Sequence, residues 1–71
     1  MKTATVDGGT VKIGDYVCFK SDYEQCGKVV DIKASPWGSA MLVLENENGF
    51  GGDYLQYATR TQELASDCWV E

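Results

Sequence analysis

The sequence predicts an all-β or mainly β protein: a small barrel of about five short strands, with one short helix or 3₁₀ turn before the last. Three observations carry this. Apolar residues alternate with polar ones from Val11 onward, as in a half-buried strand. Turn-forming pairs such as Gly14-Asp15, Pro36 with Gly38, and Asn48-Gly49 recur at short spacing. The one helix-start signal is Thr59 followed three residues later by Gln62, a capping box.

The first ten residues read as a loose arm, with Gly8-Gly9 as a turn or hinge, and residues 11–71 as the single domain. The first strand is expected over 11–20: Val11, Ile13, Val17 and Phe19 share one parity, and Gly14-Asp15 bends it. Ser21 to Gln25 is a polar loop, and the β-branched run Gly27–Lys33 a second strand. Ser35-Pro36-Trp37-Gly38 is a turn, because proline pre-sets φ and glycine suits the fourth position. A third strand over 40–46 is apolar throughout and so central, and Asn48-Gly49 suits a type I′ turn after it. A fourth strand is placed at 53–58, a short helix or 3₁₀ turn from Thr59 to about Asp67, and a last strand at 68–70. Val17, Phe19, Val30, Ile32, Leu42, Leu44 and Leu55 are the expected core.

At 71 residues the chain forms one domain with a modest core, to which disulfides or association would add stability. With 44% hydrophobic and 24% charged residues it lies outside the disordered regime. No stretch approaches the ~20 apolar residues that span a bilayer, and the N-terminus lacks the apolar stretch of a secretory signal, so a cytoplasmic protein is expected. Cys18, Cys26 and Cys68 are odd in number and lack C-x-x-C spacing, so all three are expected to be reduced. With no histidine, they make a poor zinc site, and no cofactor is implied.

The charge of −5 lies wholly in residues 34–71, where six acids face Arg60 alone; residues 1–33 carry five acids and five lysines. That sign opposes binding to a phosphate backbone. Nucleophilic catalysis finds no histidine base and no activated serine or cysteine. Gly49-Phe50-Gly51-Gly52-Asp53 matches no phosphate-binding motif, and Glu47 and Asp53 would repel an anion. Trp69 reads as core, and the best contact candidate is Trp37, at the tip of its turn. Tyr16, Tyr23 and Tyr54 are expected near one rim with Tyr57, as a partner surface or as the edge of a small core. Asp22 and Glu24 complete the set in the first loop.

Ile13-Gly14-Asp15-Tyr16-Val17, Gly27-Lys28-Val29-Val30-Asp31-Ile32 and Leu42-Val43-Leu44 resemble the opening strands of SH3-like barrels, KOW-type modules among them. The resemblance covers about residues 11–50 and implies a fold. Small uncharacterised proteins of bacteria and phages look similar. In signalling SH3 domains, acids at the place of Asp22 and Glu24 receive an arginine-bearing ligand, but the Ala-Leu-Tyr-Asp-Tyr motif is missing here. Gly14-Asp15-Tyr16-Val17 and Leu55-Gln56-Tyr57 also resemble type II dihydrofolate reductases. The absent isoleucine between Gln56 and Tyr57 would turn that tyrosine to the other face.

The expected function is therefore a non-catalytic module that recognises another protein, or a second copy of itself, through an aromatic rim. The alternatives are a KOW-type nucleic-acid module using Lys12, Lys20, Lys28 and Lys33, an acidic DNA mimic, and an oligomeric reductase-like barrel.

Overall fold

The computed structural model describes residues 2–36 and 38–70. Among these residues the protein is all-β, with sheets of two and four strands around one core and a single 3₁₀ turn. β1 (Thr3–Val6) and β2 (Gly9–Lys12) form an antiparallel hairpin closed by Asp7-Gly8. This corrects the loose arm expected over residues 1–10. Gly8 supplies the positive φ of a tight turn, +94°, and Ala4, Val6 and Val11 face the core. Burial of those side chains offsets the entropy of ordering the segment.

The strand expected over 11–20 is broken at Gly14 (φ +101°), where the bend was expected. Gly14 N–H donates to the Val29 carbonyl, and the Asp15 carbonyl accepts from Val29 N–H, both at 2.8 Å. Ile13 falls outside the ladder and is exposed. β3 (Tyr16–Ser21) and β4 (Tyr23–Lys33) then turn on Asp22 alone, whose φ is +64°. The polar loop expected at 21–25 is thus mostly strand, paired Ser21 with Tyr23 and Phe19 with Gln25.

β5 (Met41–Glu45) lies between β4 and β6 (Arg60–Leu64), central as its apolar run implied. A register shift between Val29 and Asp31 leaves Val30 in a bulge. Val29 and Ile32, three apart, both reach the core, while Val30 is only half-buried. The turn expected at Ser35–Gly38 closes with Gly38 N–H on the Ser35 carbonyl, 3.2 Å.

After β5 the structure departs from expectation. Asn46 Oδ1 accepts Asn48 N–H at 2.9 Å and Gly49 takes φ +84°, so the chain turns here, but Asn48 is not at positive φ and the turn is not the expected type I′. No strand follows at 53–58, however: Gly52, Gln56 and Tyr57 all have positive φ. Phe50 plunges inward, fully buried, with its ring edge-on to Phe19 at 5.4 Å. The chain loops back, closed by Phe50 N–H on Ala58 O and Tyr57 N–H on Phe50 O, each 2.8 Å. Leu55 ends half-buried against the core. The capping box at Thr59–Gln62 does not start a helix, because β5 needs a second neighbour and Thr61 is buried when 60–64 are extended. Tertiary pairing overrides a local signal of about 1 kcal/mol.

The 3₁₀ turn expected before the final strand is Ala65–Asp67. The strand expected at 68–70 shrinks to single bridges: Trp69 pairs with Asp7 in parallel and Cys18 antiparallel, tying the two sheets together. Val17, Phe19, Ile32, Leu42 and Leu44 are buried as expected, joined by Phe50, Ala65 and Cys68.

Candidate partner-binding surface

Two chain segments far apart in sequence meet at one end of the molecule: the β3–β4 tip and the loop over 49–57. Gln25 clamps them. Its Nε2 donates to the carbonyls of Ser21 (3.0 Å) and Gly51 (2.9 Å), and its Oε1 accepts Gly51 N–H (2.7 Å). Asp22, held at positive φ, accepts the N–H groups of Asp53 (2.7 Å) and Tyr54 (3.3 Å) on one carboxylate oxygen. Glycine is required where the segments touch. A Cβ on Gly51 would fall on the Tyr23 hydroxyl, and one on Gly52 would lie 2.5 Å from Asp22 Oδ2.

On this braced end Tyr23 is 54% exposed and Tyr54 is 83% exposed. Tyr57, in the same loop, is 75% exposed. These rings contribute little to the core, yet the backbone beneath them is fixed. Asp53 and Glu24 are exposed there, Glu24 opposite Lys20 in the ladder.

The expected single rim is not formed. Tyr16 pairs with Lys28 at the far end of the β3–β4 hairpin from Tyr23. It is 68% exposed and lines a separate polar groove of about 330 Å³ with Lys28, Glu45 and Glu47. The strands run straight enough that five residues of rise separate the two rings. Asp22, expected as a partner contact, has one carboxylate oxygen occupied by backbone N–H groups of its own chain. Trp37 lies outside the described residues. Gln25 and Gly51 were not among the expected site residues; the Gly51-Gly52 pair is the signal for them, since it marks close approach.

The cysteines are a further correction. Cys18 and Cys26 face each other in the ladder, 3.9 Å apart at Cα, and form a disulfide. Cys18 exchanges its backbone hydrogen bonds with Trp69 (2.8 and 2.9 Å). Its pair with Cys26 is therefore a non-hydrogen-bonded one, where cross-strand side chains approach most closely. Only pairing register shows this; an odd count in the sequence does not. Cys68 is a free, buried thiol donating to Leu64 O at 3.3 Å. Burial, then the charges of Glu63 and Asp67, push it up to about 12, so it is no nucleophile. Asp15 and Asp31 are held below the usual carboxylate range by backbone N–H donors, from Lys12 and Ile32, and then by the side chains of Lys12 and Lys2. Among the described residues no three Cys, Asp or Glu side chains gather as metal ligands, and no helix is long and apolar enough to cross a membrane.

These features define the class: a small all-β domain with a braced aromatic and acidic end. Comparison with family models, with curated proteins and with solved structures found no match.

Proposed function

We propose that this SH3-like domain is a non-catalytic module that binds another protein through the end bearing Tyr23 and Tyr54. One observation carries the proposal: two exposed tyrosines stand on a backbone locked by Gln25 and Asp22, so little order has to be gained on binding. Tyrosine is over-represented in interface hot spots because it brings apolar area and a polar tip at low entropic cost. Asp53 and Glu24 beside the rings, and the net charge of −5, favour a partner segment carrying lysine or arginine. A nucleic-acid partner has less support. Lys2, Lys12 and Arg60 pair with Asp31, Asp15 and Glu45, and Lys20 and Lys28 lie opposite Glu24 and Glu45 in the ladder.

The compartment belongs to the same proposal. The odd cysteine count favours a reducing compartment such as the cytoplasm, whereas a disulfide persists in oxidising ones. Trapping the thiols by alkylation at the moment of cell lysis decides between them.

The test is affinity capture from the native cell with wild-type protein and the Tyr23→Ala and Tyr54→Ala variants. A discrete protein partner should be retained by wild type and weakened by about 2 kcal/mol, roughly 30-fold, in the Tyr54 variant. Equal capture by a folded double variant would refute the proposed surface.

A further inference from the structure

The four-stranded sheet ends on β6, and the hydrogen-bond phase of that strand is fixed at both ends of its pairing with β5. Asn46 N–H donates to Thr59 O at 2.9 Å, and Ala65 N–H donates to Ala40 O at 2.8 Å. In an antiparallel ladder the backbone groups of alternate residues point to alternate sides. Thr61 and Glu63 therefore bond β5, while Arg60, Gln62 and Leu64 aim their N–H and C=O groups away from the sheet, where the Leu64 carbonyl accepts the Cys68 thiol at 3.3 Å and keeps one lone pair open. No strand among the described residues pairs with that side. Arg60 and Gln62 are exposed.

Proteins ordinarily blunt such an edge with proline, lysine, a bulge or a covering loop. β6, Arg-Thr-Gln-Glu-Leu, has no proline or lysine, and its register with β5 is unbroken. The other outer strand, β3, is partly covered: Cys18 N–H donates to Trp69 O at 2.8 Å and Cys18 O accepts Trp69 N–H at 2.9 Å. Beside β6 runs an open groove of about 550 Å³, walled by Val43, Tyr54 and Leu55 together with Lys33, Arg60 and Gln62. Some apolar area, mixed with two cations, therefore lies next to the unpaired backbone.

We propose that β6 pairs antiparallel with β6 of a second copy of this chain, about a two-fold axis through Gln62. The occupant is a second copy because the edge is complementary to itself. Centred on Gln62, the two strands bring Gln62 opposite Gln62, each exchanging N–H and C=O bonds with the other. Arg60 falls opposite Leu64, and Thr61 opposite Glu63, so no like charges face each other across the seam. The groove beside each β6 then receives the rim of the other copy, covering Leu55 and part of Tyr54. Five residues of strand make a small interface, so the dimer is weak and reversible, at the low end of specific association. Each copy carries −5, so added salt strengthens it by screening repulsion.

This association is independent of the partner-binding proposal, and purified protein alone tests it. Sedimentation of the intact chain, up to about 1 mM and at low and high salt, should show a monomer–dimer equilibrium that shifts toward dimer with salt. Gln62→Pro removes an N–H that bonds nothing within the monomer, as edge strands tolerate, and should weaken association at least about tenfold. Gln62→Lys leaves the backbone intact and sets like charges face to face on the axis; it should have the same effect even if the proline variant unfolds. A monomer at every concentration and salt would overturn the proposal. So would a dimer that survives the folded Gln62→Lys variant unchanged.

Discussion

Replacing Gln25 by alanine should remove the clamp on which the aromatic end rests. Three hydrogen bonds disappear together: two to the carbonyls of Ser21 and Gly51, and one from Gly51 N–H. Each contributes roughly 0.5–1.5 kcal/mol net, and Gly51 is buried, so its orphaned groups regain water incompletely. The expected loss is about 2–3 kcal/mol. A chain of 71 residues has roughly 4–11 kcal/mol in all, so the loss is a large fraction of the total. With a urea slope of about 1 kcal/mol per molar for a domain this small, the midpoint should fall by about 2–3 M. Amide exchange adds a local readout, since the Gly51 N–H should lose protection well before the β4–β5 ladder does. Gln25→Glu sharpens the argument. A carboxylate still accepts Gly51 N–H but faces two carbonyls with no proton to offer, so this variant should recover part of its stability below about pH 4, where the acid protonates. A loss under about 0.5 kcal/mol, with Gly51 protected as in wild type, would show that the loop is held by other contacts.

Two further outcomes follow from the cysteines. Reducing the Cys18–Cys26 disulfide, which spans eight residues, should cost about 2.5 kcal/mol by the chain-entropy relation; denaturant melts with and without reductant measure it, and coincident curves would refute the bridge as a stabilising element. Cys68 is raised in the folded state, so the unfolded thiol ionises first. Its stabilisation is complete below about pH 9 and is lost as pH rises towards about 12. Alkylation at pH 8 should leave native Cys68 untouched, and the difference in stability between wild type and Cys68→Ala should shrink above pH 9.

The sequence by itself determined the class of the fold and most of the core. Period-two alternation and β-branched runs force strands wherever one face must be buried, and this placed Phe19, Ile32, Leu42 and Leu44 inside. Gly14, Gly38 and Gly49 marked real turns because each takes a positive φ that glycine adopts without strain. What failed were decisions that depend on a distant segment. Whether 53–58 or 60–64 completes the sheet is settled by Phe50, whose burial against Phe19 pulls the intervening loop out of the ladder. The arm became a hairpin because Trp69, some sixty residues away, bridges it to β3. Candidate site residues were legible by type, since exposed tyrosines and acids stand out in any small domain. Their grouping was not: Tyr16 and Tyr23 parted company because a hairpin turning on Asp22 alone sends them to opposite ends. The disulfide likewise depends on register, which no count of cysteines contains. Local chemistry chooses the elements, and only the closure of the core, a long-range condition, decides which of them become neighbours.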